Sequence, residues 1–368
     1  MSKYIHLLKT WPDFTWQHDK LVHPLATVRH NQGRLLGKLE GLGFQLQAEA
    51  SLGNLILDVV KSSEIEGEKL PMDQVRSSVA RKLGMKVPGL VLTTRDVDGV
   101  VEMMLDATQK HDKPLTEERL FGWHSSLFPV GRSGLHKIQV AAWRNAEGDP
   151  MQVVSGAMGK ERVHFEAPEA ARLESEMKKF LKWFNSSEEI DSILKAAIAH
   201  LWFVTIHPFD DGNGRIARAI ADMQLSRSDQ SKQRFYSMSA QIQQERKAYY
   251  DCLEKTQRGT VDITGWLLWF LDCFGRALSA STENVASVMN KATFWEKHRT
   301  VALNDRQRTM LNKLMDGFEG KLTSSKWAKI TKSSPDTALR DIQSLIQAKM
   351  LEKEEGGGRS TSYRVKLN

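Results

Sequence analysis

A chain of 368 residues, 40% hydrophobic and 26% charged, is long enough to bury two or three cores. That excludes both a small stapled scaffold and a disordered tail. Its two cysteines, Cys252 and Cys273, are too few for a disulfide framework or a four-ligand zinc site, so a reducing, cytoplasmic setting is expected. No apolar run approaches the roughly 20 residues that cross a bilayer; the best is Trp266 to Leu271, and Met1–His6 lacks the apolar core of a secretion signal. No membrane partner is expected. Net charge is +7, and residues 291–368 hold 16 Lys and Arg against 9 Asp and Glu, leaving 36 of each sign on the first 290. All the excess positive charge is C-terminal.

Aromatics open the chain (Trp11, Phe14, Trp16), and helical periodicity then runs from about Leu21 to Val60. Leu52, Leu55, Ile56 and Val59 mark an apolar face. Gly67 and Pro71 end that run. A Gly/Pro-rich stretch from Gly84 to Gly89 precedes a helix over about 99–109. Val153–Ser155 and Glu161–Phe165 are β-leaning runs about a glycine-containing connection, Gly156–Lys160, and predict a hairpin. Helices are predicted over about 168–185, 192–206, 214–227, 239–257 and 263–279. From Leu303 the pattern is a unit of short helices. Ser333, Ser334 and Pro335 cap a helix with Ala338, Leu339, Ile342, Leu345 and Ile346 at core spacing. Leu351–Glu354 and Ser362–Val365, two strands about the glycines 356–358, complete a winged helix-turn-helix.

The stretch that carries chemistry is His207-Pro208-Phe209-Asp210-Asp211-Gly212-Asn213-Gly214-Arg215-Ile216-Ala217-Arg218. An apolar helix delivers His207 at its end, because the residue before Pro208 is driven out of the helical region. Gly212-Asn213-Gly214 permits a turn whose N–H groups converge, and the helix that follows adds its own free N–H groups: an anion nest. Arg215 and Arg218, three apart, share a face and can grip successive phosphates. Asp211 offers a hard oxygen to Mg²⁺, and His207 titrates where a general base must. The combination asks for a di- or triphosphate with Mg²⁺. A mononuclear metal hydrolase on His200, His207 and Asp211 is an alternative, one that leaves both arginines without a role.

These twelve residues resemble the hallmark of the Fic family, His-x-Phe-x-Asp/Glu-Gly-Asn-Gly-Arg-x-x-Arg. The resemblance implies a protein adenylyltransferase that moves AMP from ATP to a Ser, Thr or Tyr hydroxyl of a target protein, or of itself, and releases pyrophosphate. By position it makes His207 the base and Asp211 the Mg²⁺ ligand. Gly212, Asn213 and Gly214 would hold the α-phosphate region, and Arg215 and Arg218 the β- and γ-phosphates. It implies that the hairpin is a flap on which the target docks as an added strand, through Val153, Val154, Val163 and Phe165. Tyr249 and Tyr250 resemble the family's tyrosine pair near the nucleotide, though aromatics on such a helix also serve as core.

Upstream, Ser62-Ser63-Glu64-Ile65-Glu66-Gly67 fits the family's inhibitory pattern, Ser/Thr-x-x-x-Glu-Gly/Asn. In the bacterial subclass that carries it N-terminally, the glutamate pairs with the hallmark's second arginine. Here that implies Glu66 on Arg218, with Ser62 holding the helix, and so an enzyme that brakes itself. The same glutamate serves AMP removal in some relatives, and other relatives transfer other groups; both alternatives stay open.

The implied architecture is mainly α. Residues 1–105 form a helical N-terminal domain carrying the motif at 62–67. Residues 106–285 form the Fic catalytic domain with its flap at 153–165 and hallmark at 207–218. Residues 291–368 form the winged helix. That last unit supplies a reading of another class, a DNA-binding regulator using Lys326, Lys329, Lys332, Arg340, Arg359 and Arg364; it would equally suit a protein contact or a homodimer.

Overall fold

The computed structural model describes residues 4–41, 43–85, 89–145, 150–156, 162–187, 189–315, 318, 320–354 and 361–366. They divide into two compact units, Met1–Ser281 and Thr282–Asn368. Among the described residues no helix is long and apolar enough to cross a membrane.

The first unit is helical with two small hairpins. Its elements are α1 (His18–Glu40), α2 (Phe44–Ile65), α3 (Met72–Lys82), α4 (Arg95–Gln109), α5 (Glu117–Leu127), β1 (Arg132–Ser133), β2 (His136–Lys137), β3 (Gln152–Ser155), β4 (Arg162–Glu166), α6 (Leu173–Phe184), α7 (Ser192–Ile206), α8 (Asn213–Asp229), α9 (Met238–Gln244), α10 (Arg246–Gln257) and the part of α11 (Thr264–Lys297) up to Ser281. The periodic run over 21–60 is two helices, not one. Gly41 and Gly43 interrupt it, and Gly43 stands in extended backbone (φ −62°, ψ 151°) as the N-cap of α2. The run over 239–257 also divides. Glu245 leaves helical geometry (φ −106°, ψ 23°) where Arg276 holds its carboxylate through two bonds of 2.6 Å.

The core is organised around α7, whose residues Ile193–Ile206 are all buried. Its apolar residues surround the whole helix, so it must be covered on every side. Asp191 caps it, accepting from the Ile193 and Leu194 amides at 2.8 and 3.4 Å. Arg29 of α1 reaches the same carboxylate at 2.7 Å, tying the N-terminal helices to the centre. Helix α8 lies along α7 and is buried through nearly its whole length.

The second unit contains α12 (Asp305–Met315), α13 (Ser324–Thr331), α14 (Pro335–Gln347) and an antiparallel hairpin of β5 (Leu351–Lys353) and β6 (Tyr363–Val365). Trp327, fully buried, centres a core with Met310, Leu311, Ile342, Leu345 and Tyr363. Ser334 caps α14, accepting from the Thr337 amide at 3.2 Å. Leu339, expected in this core, is 40% exposed: it falls one residue off the stripe that Ala338, Ile342 and Leu345 present. The glycines 356–358 lie outside the described residues.

Helices α4 and α5 meet backbone to backbone. A Cβ on Gly99 would lie 1.7 Å from the Ser126 carbonyl oxygen, whereas one on Gly33 of α1 would meet nothing within 4 Å. Gly99→Ala is therefore expected to cost about 1–3 kcal/mol by overpacking. Gly33→Ala should add about 0.5–1 kcal/mol through helix propensity. Urea unfolding of the two variants measures both; equal effects of one sign would contradict the close packing.

Candidate active site

The twelve-residue motif forms the joint between α7 and α8. His207 caps α7 in the left-handed region (φ 51°, ψ 58°), outside the right-handed helical region that the following proline disfavours. Gly212 precedes α8 with φ 79°, and a Cβ on it would lie 2.9 Å from the Phe128 ring. Only glycine meets both demands. Asn213 closes the loop on itself: its Oδ1 accepts from the Phe209 amide at 3.0 Å and its Nδ2 donates to the Phe209 carbonyl at 2.8 Å. The Asn213 side chain thus shapes the turn, and its main-chain N–H is what remains to meet a ligand.

Two residues outside the motif fix it in place. Arg144, nearly buried, donates through Nε to the His207 carbonyl at 2.9 Å, through its amide to the Pro208 carbonyl at 2.9 Å, and through Nη2 to the Pro168 carbonyl. It joins the motif to the root of the β3–β4 hairpin. His124 stacks on Phe209 with ring centroids 4.2 Å apart and planes 9° from parallel. Its Nδ1 accepts from the Ala141 amide at 3.3 Å, so its Nε2–H donates to the Asp211 carbonyl at 3.2 Å.

The His207 imidazole donates Nδ1–H to the Val204 carbonyl at 3.1 Å, which leaves Nε2 as the proton acceptor. Burial holds its pKa below the ordinary value; the Val204 bond opposes that and the Arg144 charge adds to it. At neutral pH the ring is an uncharged base. Asp211 accepts from the Gly212 amide at 2.5 Å and from the Ser133 hydroxyl. His207, Asp211 and Gly212–Gly214 line one cavity of about 850 Å³, together with Val153, Val154, Phe165, Tyr249 and Tyr250. The N–H groups of the first turn of α8 have no intrahelical acceptors, as at any helix start.

Both motif arginines are buried, and both are met by carboxylates from the end of α2. Arg218, 2% exposed, reaches Glu66 at 2.8 Å. The same guanidinium donates through Nε to the Ser62 hydroxyl and through Nη2 to the Ser62 carbonyl, each at 2.9 Å. Arg215, 3% exposed, reaches Glu68 at 2.7 Å and lies over the Phe128 ring. Gly67 (φ 88°) turns the chain between the two acids. Glu66 lies so close to the start of α8 that a Cβ on Gly214 would be 2.2 Å from its Oε1. Arg218 Nη1 and Arg215 Nε are buried with no hydrogen-bond partner among the described residues, an unsatisfied positive surface.

The hairpin pairs Val153 with Phe165 and Val154 with Val163, and β3 has no other strand beside it among the described residues. Arg258, which caps the end of α10, donates to the Val163 and His164 carbonyls at 2.8 and 3.0 Å, so β4 is held from behind. Val154 is exposed, while Phe165 is buried against Tyr4 and His6. Its ring anchors the hairpin. The connection at 157–160 lies outside the described residues. Tyr249 is buried with its hydroxyl 2.8 Å from His200 Nε2, and Tyr250 is half-buried near the Ile65 carbonyl.

The structure brings together His207, Asp211, Gly212–Gly214, Arg215, Arg218, Ser62 and Glu66. It does not unite His200, His207 and Asp211 as metal ligands: His200 faces Tyr249, and no group of three or more His, Cys, Asp or Glu among the described residues is placed to hold a metal ion. Sequence reasoning missed Glu68, Arg144, His124 and Ser133. Only Glu68, two residues beyond Glu66, carried a local signal.

Residues 114–225 match the Fic/DOC family model, and residues 4–85 match a domain of unknown function, DUF4172. The chain is 28% identical over 230 residues to protein adenylyltransferase Fic of Culex quinquefasciatus, covering 61% of this chain and 41% of that one. It is 34% identical over 104 residues to the protein of that name from Drosophila melanogaster, covering 28% and 20%. It thus spans about two fifths or less of the length of these curated relatives. A Fic family protein from Desulfovibrio desulfuricans superposes with a TM-score of 0.53 at 21% identity, over 96% of this chain and 98% of that one. A Fic domain containing signaling protein from Bacteroides thetaiotaomicron does so with a TM-score of 0.51 at 20% identity, over 70% and 97%. At these identities the likeness is one of fold.

Burial pushes the His124 pKa down to about 4 from 6.5. Between those values the unfolded chain binds a proton that the folded one refuses, so stability falls as pH falls through that window and levels below it. The difference amounts to about 3 kcal/mol. His124→Gln keeps one acceptor and one donor at this position and cannot titrate. Its stability relative to wild type should rise by that amount between neutral pH and about pH 4, read by urea unfolding; parallel pH curves would contradict the neutral, buried assignment.

Proposed function

Because the chain carries a Fic/DOC-family domain over residues 114–225, we propose that it is a protein adenylyltransferase that moves AMP from ATP to a hydroxyl of a target protein and restrains itself with Glu66. The observation that carries this reading is a single cavity into which an uncharged imidazole and an unpaired helix start open, backed by two buried guanidiniums. The relatives named protein adenylyltransferase point the same way.

In this reading His207 Nε2 takes the proton of the target hydroxyl. The oxygen attacks the α-phosphorus, the bond from that phosphorus to the bridging oxygen breaks, and pyrophosphate leaves. The Val204 carbonyl keeps the accepting nitrogen correct throughout. The N–H groups of Asn213–Arg215 hold the phosphate oxygens, and the guanidiniums of Arg215 and Arg218 balance charge along the tail. The free edge of β3 gives the target backbone a strand to pair with, which sets its register.

Mg²⁺ fits this donor set. It is commonly held by one or two carboxylates plus substrate phosphates, and Asp211 presents a carboxylate to the cavity with the Ser133 hydroxyl fixing one of its oxygens. When bound, the ion would neutralise phosphate charge.

The restraint follows from competition. Glu66 occupies Arg218, and Glu68 occupies Arg215, the sites that the terminal phosphates need. A charge-assisted bond to one guanidinium is geometrically exclusive. Removing Glu66 frees Arg218, while Ser62 keeps its Nε and one Nη2 bond.

Incubation of the full chain with a cell extract and ATP labelled on the α-phosphate tests this reading. Glu66→Gly should raise label transfer to extract proteins about tenfold or more, the factor matching the roughly 1.5–3 kcal/mol of a charged hydrogen bond. Glu68→Gln should raise it less, and His207→Ala should remove it. Equal labelling by wild type and Glu66→Gly would overturn the restraint; labelling by His207→Ala equal to wild type would overturn the base.

A further inference from the structure

The second unit holds none of the residues assigned to the transfer, yet it carries the chain's charge excess: residues 291–368 have 16 Lys and Arg against 9 Asp and Glu. Acids there that are paired meet cations away from its two central helices or at their inner side. Asp341, buried, meets Arg306 at 2.8 Å, Glu352 meets Arg364 at 2.7 Å, and Glu296 meets Arg299 at 2.9 Å. Arg364 is thereby neutralised, and Arg359 lies outside the described residues.

The surface left cationic belongs to a helix-turn-helix. Helices α13 and α14 share the Trp327 core and are joined by three residues, 332–334. The Tyr363 amide donates to the Leu322 carbonyl at 3.0 Å, so the chain entering α13 is tied to the β5–β6 hairpin, a wing beside the helices. Trp327 is buried on the inner side of α13, while Lys326, Lys329 and Lys332 are exposed, three apart and so on one stripe. Lys332 closes α13 in left-handed backbone (φ 51°, ψ 44°), where glycine is the unstrained choice. A lysine stands there in spite of the backbone.

The outer face of α14 has a different character. Ala338, Ile342 and Leu345 are buried, and Asp336, Arg340, Gln343 and Gln347 are exposed at the three/four spacing of the opposite side. These are base-reading groups: a guanidinium matches the two acceptors of guanine, a carboxamide the acceptor and donor of adenine, and a carboxylate the amino group of cytosine. A surface that met phosphates alone would need neither amides nor an acid. The B-form major groove, about 12 Å wide, admits a helix, whereas the A-form one is too deep and narrow for side chains to read.

We propose that the second unit binds duplex DNA, with the outer face of α14 in a major groove and the α13 lysines on the flanking phosphates. This stands independently of the adenylyltransferase reading.

The test titrates the full-length chain onto fluorescent duplexes, random ones and ones selected from a randomised pool, and reads anisotropy at several salt concentrations. With about three phosphates neutralised, affinity should fall about 40-fold between about 50 and about 200 mM salt. Lys329→Ala with Lys332→Ala should reduce the log–log salt slope by about two on every sequence, and Lys313→Ala, on α12, should not move it. Arg340→Ala should weaken the selected site about tenfold or more relative to random duplex. No binding to any duplex at low salt, or a slope unmoved by the double substitution, overturns the proposal. So does tighter binding to single strands or duplex RNA, or an Arg340→Ala that affects all sequences alike. Self-association of the chain that the lysine substitutions abolish, without DNA binding, would assign the surface to a second copy and overturn it as well. His207→Ala should bind DNA as the wild type does, so failure here leaves the transferase reading untouched.

Discussion

A guanidinium buried to 2% exposure cannot stand without anions around it. Arg218 is such a group, and much of the first unit is arranged to answer it. Ser62 and Glu66, at the end of α2, supply a hydroxyl, a carbonyl and a carboxylate. The core that surrounds α7 and α8 keeps water from the Arg218 guanidinium, while Glu66 opens to the cavity. One Nη has no hydrogen-bond partner among the described residues, so the site is occupied but not saturated. A positive centre held this way exchanges one anion for another far more readily than it tolerates none. That is the physical basis for reading the end of α2 as an occupant of a phosphate site.

The geometry of the base rests on quieter contacts. His207 has left-handed backbone, and such a residue persists only where its surroundings determine it. Here Arg144 binds its carbonyl, Val204 binds its ring, Asn213 ties the loop at Phe209, and His124 packs beneath. The same Arg144 reaches Pro168 at the root of the hairpin. The loop that would hold a nucleotide and the strand that would hold a target are therefore fixed to one side chain.

Much of this was legible in the sequence because it is local. A proline after a histidine, glycines at a turn, arginines three apart and a glutamate four beyond a serine each carry their own geometry. The long helices and the hairpin followed from periodicity in the same way. What was not legible depended on distance along the chain. Arg144 and His124 read as ordinary loop and helix residues until the fold sets them against residues 207–211. The resemblance put Phe165 with the docking strand, and only the fold sets its ring against Tyr4 and His6. Gly41 and Gly43 were visible, but periodicity on both sides masked the break they make. The bulge at His164, between the Val153–Phe165 and Val154–Val163 pairs, has no sequence signal, since it is defined only by the register of its partner strand.

The account turns on Arg218 exchanging Glu66 for a nucleotide phosphate. A crystal structure of the Glu66→Gly protein with a non-hydrolysable ATP analogue and Mg²⁺ tests that directly. The account predicts the Arg218 guanidinium in hydrogen-bond contact with the terminal phosphate, Ser62 still on its Nε, and His207 Nε2 facing the α-phosphate. A nucleotide bound with its phosphates elsewhere, and Arg218 paired instead with another protein carboxylate, would contradict it.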